Sequence, residues 1–104
     1  MEGTPSMYKK FSESFPSISE KRSRIRLCLD VLRVISRGVE KPTNIMYKSN
    51  LSWVTLREIL MLLAEEGLIK CEVAGKRKRY KITKKGLDTL RYFRKIEELL
   101  ILTP

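Results

Sequence analysis

Histidine is absent from the 104 residues, and only two cysteines, five glycines, four prolines and one tryptophan occur. Without histidine the chain lacks the side chain that titrates near neutral pH, and with it the commonest general base and metal ligand. Cys28 and Cys71 are far apart, so local spacing builds neither a CxxC redox pair nor a zinc cluster. Both fall on apolar stripes and read as small buried hydrophobes. No glycine-rich phosphate loop, nucleophile beside a base, or carboxylate cluster gives an enzyme a starting point, so neither catalysis nor a cofactor or metal is expected. The longest apolar run, Ile59 to Ala64, is far short of the roughly 20 residues of a membrane helix. The opening residues Glu2, Gly3, Thr4 and Pro5 do not form a basic start followed by an apolar stretch. The expectation is a protein with no secretory signal, cytoplasmic and associated with the nucleoid.

Acidic residues are also scarce, 12 against 22 lysines and arginines, which leaves a net charge of +10. Such a balance favours polyanionic partners, nucleic acid first and an anionic membrane surface second. Apolar residues make up 42%, enough for a packed core and too many for a disordered basic tail. The length suits one domain.

Residues 1–18 carry Gly3, Pro5, Pro16, Ser6, Ser12 and Ser14, with Phe11 and Phe15 isolated, and read as a flexible arm. Over residues 19–83 the periods change in a definite order. Ile25, Cys28, Leu29, Leu32 and Ile35 form one helical stripe, with Gly38 as the stop. A second stripe of Leu27, Val31 and Val34 predicts a helix covered on two sides, by the C-terminal region or by a second subunit. Pro42 and Thr43 open a short helix that ends at Ser49 and Asn50. Ser52 can cap the next helix, whose Leu56, Ile59, Leu60 and Leu63 share a face before Gly67. Two helices around so brief a turn make a helix-turn-helix. Ile69, Cys71 and Val73 then alternate with charges, Gly75 turns the chain, and Tyr80 and Ile82 alternate with Lys81, which reads as a hairpin with its tip at Gly75 to Arg79. Thr83 can cap a last helix over 84–104, striped by Leu87, Leu90, Phe93, Ile96, Leu99 and Leu100. The expected fold is α+β and mostly helical: a winged helix-turn-helix of three helices and a β-hairpin wing, with a C-terminal dimerisation helix. Leu90, Phe93, Ile96, Leu99 and Leu100 are the expected seam of a homodimer.

The stretches RSRIRLCLDVL (Arg22 to Leu32), TNIMYKSNLSW (Thr43 to Trp53), EGLIK (Glu66 to Lys70) and RYKITKKGL (Arg79 to Leu87) occur in an order and spacing that resembles the small archaeal winged-helix DNA-binding proteins, including the dimeric chromatin-type proteins of Sulfolobus. The resemblance spans about residues 22 to 90 and implies DNA binding and an antiparallel coiled-coil dimer through the last helix. That helix is shorter here than in the chromatin-type members, so a coiled coil of their length cannot form.

In a helix-turn-helix the start of the second helix enters the major groove, which selects Ser52, Trp53, Val54 and Arg57. Arg57 can pair with a guanine edge or a phosphate, or with a neighbouring glutamate; Val54 offers only apolar contact, for instance to a thymine methyl. Trp53 lies against DNA or staples the turn. Lys48, Ser49 and Asn50 in the turn carry groups that commonly hold phosphates. Tyr47 and Tyr80 read as aromatics at the edge of the core. In the wing, Lys76, Arg77, Lys78 and Arg79, followed by Lys81, Lys84 and Lys85, concentrate cations where side chains reach a backbone or minor groove. Double-stranded DNA is the expected partner, in transcription regulation or chromosome organisation. A protein-interaction module and a general nucleic-acid or RNA binder are the alternatives.

Overall fold

The computed structural model describes residues 18–102, and the expected arm lies outside the described residues up to Ser17. Helix α1 spans Ile18–Ser36, α2 Pro42–Ser49 and α3 Trp53–Glu65; strands β1, Ile69–Ala74, and β2, Arg77–Ile82, follow; α4 runs Lys84–Leu102. The order is helix, helix-turn-helix, hairpin, helix, the winged helix-turn-helix that the periodicities predict. No helix of the described residues is long and apolar enough to cross a membrane.

The core is one cluster fed by every element except the wing tip. Val31, Leu32, Val34 and Ile35 of α1, Ile45 of α2, Leu56, Ile59, Leu60 and Leu63 of α3, and Ile69 of β1 are all buried. Burial of both Val31 and Leu32 shows α1 covered on two sides, as its double stripe requires. The second cover comes from α4 of the same chain, whose Glu97 carboxylate accepts from Arg33 at 3.0 Å and whose Leu90 packs on the core. Leu90 therefore contributes to the body of the domain.

Three local devices fix the angles between elements. Asn50 ends α2 with φ 55° and donates its N–H to the Tyr47 carbonyl at 3.2 Å; asparagine tolerates this left-handed conformation, so the turn stays tight. Thr83 starts α4: its hydroxyl accepts the Gly86 N–H at 3.1 Å and donates to the Gly67 carbonyl at 2.6 Å, tying α4 to the end of α3. Gly86 completes that junction, since a Cβ there would lie 2.2 Å from the Leu68 carbonyl oxygen and 2.6 Å from Ile82 Cγ1. The TKKG run at Thr83 to Gly86 is thus a cap and a close-approach glycine in one.

The hairpin departs from its sequence reading in two ways. Its strands pair from Ile69↔Ile82 to Ala74↔Arg77, so the tip is Gly75 and Lys76 alone and Arg77 to Arg79 stand on β2. The alternation also buries less than expected. Only Ile69 of β1 is buried, while Cys71 and Val73 are exposed, because a two-stranded ribbon leaves the core after its first residue and nothing covers its far end. The expectation of a buried Cys71 is corrected accordingly. Cys28 is half-buried, and burial pushes its thiol above the ordinary range.

Candidate nucleic-acid interface

Helix α3 presents its first two turns outward. Ser52 is the N-cap: its hydroxyl oxygen accepts the Thr55 N–H at 3.2 Å and donates to Thr55 Oγ1 at 3.0 Å. Those bonds set the helix start and leave Ser52 an anchor for its neighbours, with its hydroxyl already engaged. Trp53 and Val54 are 45% and 68% exposed, and Arg57 and Met61 share the outer face with them. Arg57 forms no ion pair among the described residues. Glu58, the acid beside it, is held by Arg24 of α1 at 3.1 Å, which neutralises one of the two acids on this face. Glu65 closes the helix, so the C-terminal end of α3 is electrostatically poor for phosphates and the N-terminal end is the better one to present.

The turn divides its three expected contacts. Lys48 and Asn50 are exposed. The Ser49 hydroxyl is turned inward, buried and without a hydrogen-bond partner, so a phosphate contact through that oxygen is not carried further. Tyr47, expected at the edge of the core, is instead 77% exposed beside Lys48. Its position in the last turn of α2 puts it on the solvent side opposite buried Ile45.

The wing supplies the charge. Lys76, Arg77 and Lys78 form no ion pairs among the described residues, whereas Arg79 reaches Glu40 at 3.3 Å and Lys81 reaches Glu72 at 3.5 Å. Lys85 is also engaged: its ammonium donates to the Glu66 carbonyl at 2.7 Å, at the negative end of α3. The base of the wing is fixed from the opposite side by the Tyr80 N–H, which donates to the Glu40 carbonyl at 2.9 Å. That bond brings the α1–α2 connection against β2. A notch of about 430 Å³ opens there, lined by Lys41, Pro42 and Thr43 on one wall and Lys76 to Arg79 on the other. Lys41 and Thr43 escaped sequence reasoning, because nothing local announces that Glu40 will pair with a strand 40 residues later. The one sequence signal for them is Lys41 immediately before a proline that opens a helix.

Lys41, Lys76, Arg77 and Lys78 thus line one notch, and Lys48 and Arg57 stand on the helix-turn-helix. Pro42 opens α2 without any side-chain cap, so the positive end of that helix dipole faces the notch. Among the described residues no group of three His, Cys, Asp or Glu side chains could hold a metal ion. The chemistry available is charge neutralisation, hydrogen-bond donation and apolar contact, which is the chemistry of gripping a polyanion.

The family model described as winged helix-turn-helix matches residues 21–100. No curated protein sequence matches the chain significantly. Among solved structures it is similar to Sso10a-2, a DNA-binding protein from Sulfolobus solfataricus, with 26% identity and a TM-score of 0.58 over 72% of this chain and 81% of that one. It is also similar to the transcriptional regulator BldR from Sulfolobus solfataricus, at 17% identity and a TM-score of 0.68 over 96% and 79% of the two chains. A third likeness is to MepR from S. aureus in a complex with DNA, at 14% identity and a TM-score of 0.64 over 94% and 87%. The last two are likenesses of fold.

Proposed function

Because the chain belongs to the winged helix-turn-helix family, we propose that it is a DNA-binding regulator or chromosome-organising protein that grips duplex DNA as a homodimer. The observation that carries this reading is the trio Lys76, Arg77 and Lys78, which pair with no acid among the described residues and stand with Lys41 around one notch. Similarity to the DNA-binding protein Sso10a-2 supports it.

In this reading phosphates seat against the wing and the notch, and Lys48 and Asn50 hold the next stretch of backbone. These contacts fix register and supply most of the affinity. The first turn of α3 then lies in the major groove, where Trp53, Val54 and Arg57 meet base edges. A second copy, joined through Phe93, Ile96, Leu99 and Leu100, presents the same surface to a second half-site.

The test is binding of the full chain to a random-sequence duplex between about 50 and 200 mM salt, where neutralising Z phosphates gives a log-log slope of about −0.9Z. A steep slope supports the reading. Affinity that ignores salt, or no binding at low salt, sinks it in favour of a protein-interaction module. Tighter binding to a matched RNA duplex would redirect it to RNA.

A further inference from the structure

From Lys41 to Arg57 the chain holds no aspartate or glutamate. The first turns of both α2 and α3, where the helix dipole favours acids, therefore carry none. Large side chains stand open along the same stretch: Tyr47 is 77%, Trp53 45% and Val54 68% exposed. A single exposed apolar residue is ordinary on a protein surface. Two open aromatic rings, one on either side of a tight turn, among side chains whose only charges are the cations Lys41, Lys48 and Arg57, make a surface suited to an anionic, aromatic ligand.

The helix geometry ties this surface to the notch. Tyr47 follows Thr43 by four positions on α2, so the two share one face a single turn apart, at ~5–6 Å between Cβ atoms. Lys41 and Thr43 form one wall of the notch, and a phosphate held there brings its own nucleotide within reach of the Tyr47 ring. Asn50 keeps the turn tight through its N–H bond to the Tyr47 carbonyl at 3.2 Å, and Trp53 opens α3 directly after the Ser52 cap. Neither ring offers the bidentate pattern by which side chains read a base edge. What an aromatic ring offers a base is its face. In an intact duplex the base faces are covered by their neighbours, so only a base standing outside the helix can use it.

We propose that Tyr47 and Trp53 form a stacking surface for unpaired bases, and that the preferred substrate is duplex DNA in which a bulge or mismatch leaves a base outside the helix. This inference rests on the DNA binding of the proposed function and names the form of DNA it favours. The wing and the notch grip phosphates of the paired arm, α3 lies in the major groove, and the extrahelical base rests against the rings that flank the turn. A bulged or mismatched base has little pairing and stacking left to lose. The contact with the rings therefore adds to the phosphate contacts at small cost.

The closing experiment titrates the full chain, near physiological salt, with three labelled duplexes of one sequence: intact, with one bulged thymine, and with an abasic residue bulged at the same place. Anisotropy reads affinity, and emission of Trp53, the single tryptophan of the chain, reads stacking. The thymine bulge should bind at least about fivefold tighter than either other duplex, the lower end of base–aromatic stacking, and should quench Trp53 most. Tyr47→Leu and Trp53→Leu should each lessen that preference and together abolish it, with the salt slope on the intact duplex unchanged, while Tyr47→Phe keeps it. Urea midpoints matching the parent chain show that the variants fold. Equal binding to the thymine and abasic bulges assigns the preference to DNA flexibility and overturns the stacking surface. So does a preference that survives loss of both rings, or Trp53 emission that responds alike to all three duplexes. In each of these cases a steep salt slope on the intact duplex leaves the DNA-binding reading standing; no binding to any duplex at low salt removes both.

Discussion

Arg24 Nη2 lies 3.1 Å from Glu58 Oε1, an ion pair that joins α1 to the outer face of α3. Both side chains are well exposed, so the pair contributes at most about 1 kcal/mol to folding. Its consequence is electrostatic: it mutes an acid that would face phosphates. Glu58→Gln should therefore leave the urea midpoint nearly unchanged and tighten binding to duplex DNA severalfold at low salt. Fluorescence anisotropy beside chemical denaturation checks both halves, and weaker binding by the variant would mean that this face of α3 does not approach DNA.

The junction at Gly86 makes a prediction of the opposite kind. A methyl group there meets a backbone carbonyl and the Ile82 side chain, and the carbonyl cannot step aside without moving the α3–β1 connection. Gly86→Ala should cost roughly 1–3 kcal/mol, the usual range for overpacking a tight site. A fall in the urea midpoint with an unchanged slope is the expected readout. No fall would show that α4 shifts freely against Leu68.

How far the sequence could be read depended on how local each cause was. The helix stripes, the Ser52 cap and the Asn50 turn are set by neighbours within a few positions, and the structure places them where periodicity does. The inward Ser49 hydroxyl and the exposed Tyr47 were missed because both depend on which way a single short helix is rolled, and the eight residues of α2 do not determine that. Cys71 was misjudged because alternation marks one face of a ribbon without saying whether anything covers it. Lys41 and Thr43 at the notch depend on a backbone hydrogen bond between Glu40 and Tyr80, a long-range pairing that leaves no pattern in either segment.

Wing residues differ in how far the chain already uses them. Replacing Lys76, Arg77 and Lys78 with alanine should reduce the magnitude of the salt slope by roughly 0.9 for each phosphate no longer neutralised, with little change in stability. Arg79→Ala should do less to DNA binding, because Arg79 is occupied by Glu40 at 3.3 Å. An equal weakening from Arg79 and from its three neighbours would mean that the Glu40 pair opens on DNA.

The two thiols should part in reactivity. Cys71 is exposed and Cys28 half-buried, with burial raising the Cys28 pKa. A maleimide should modify Cys71 first, and Cys28 labelling should accelerate on unfolding. The raised value also means that the native state holds this proton more tightly than the unfolded chain does. Its contribution to stability is full below the ordinary thiol range and is lost as pH climbs through the raised native value. Denaturation of Cys28→Ala beside the parent chain across alkaline pH checks the sign: the parent should lose stability faster.

The proposed recognition face is short of donors. Arg57 is the one cation in the first turns of α3, and its neighbours Trp53 and Val54 are apolar and exposed, so sequence preference should rest partly on methyl groups. On a duplex selected for tight binding, replacing contacted thymines with uracil removes the C5-methyl and nothing else in the major groove. Removing one buried methyl group, at ~0.8 kcal/mol, corresponds to roughly fourfold weaker binding. Val54→Ala should weaken binding to the thymine duplex and lose most of its sensitivity to uracil, since the partner of the methyl is gone. If the parent protein binds the thymine and uracil duplexes equally, methyl readout is excluded and preference must come from Arg57 or from DNA shape.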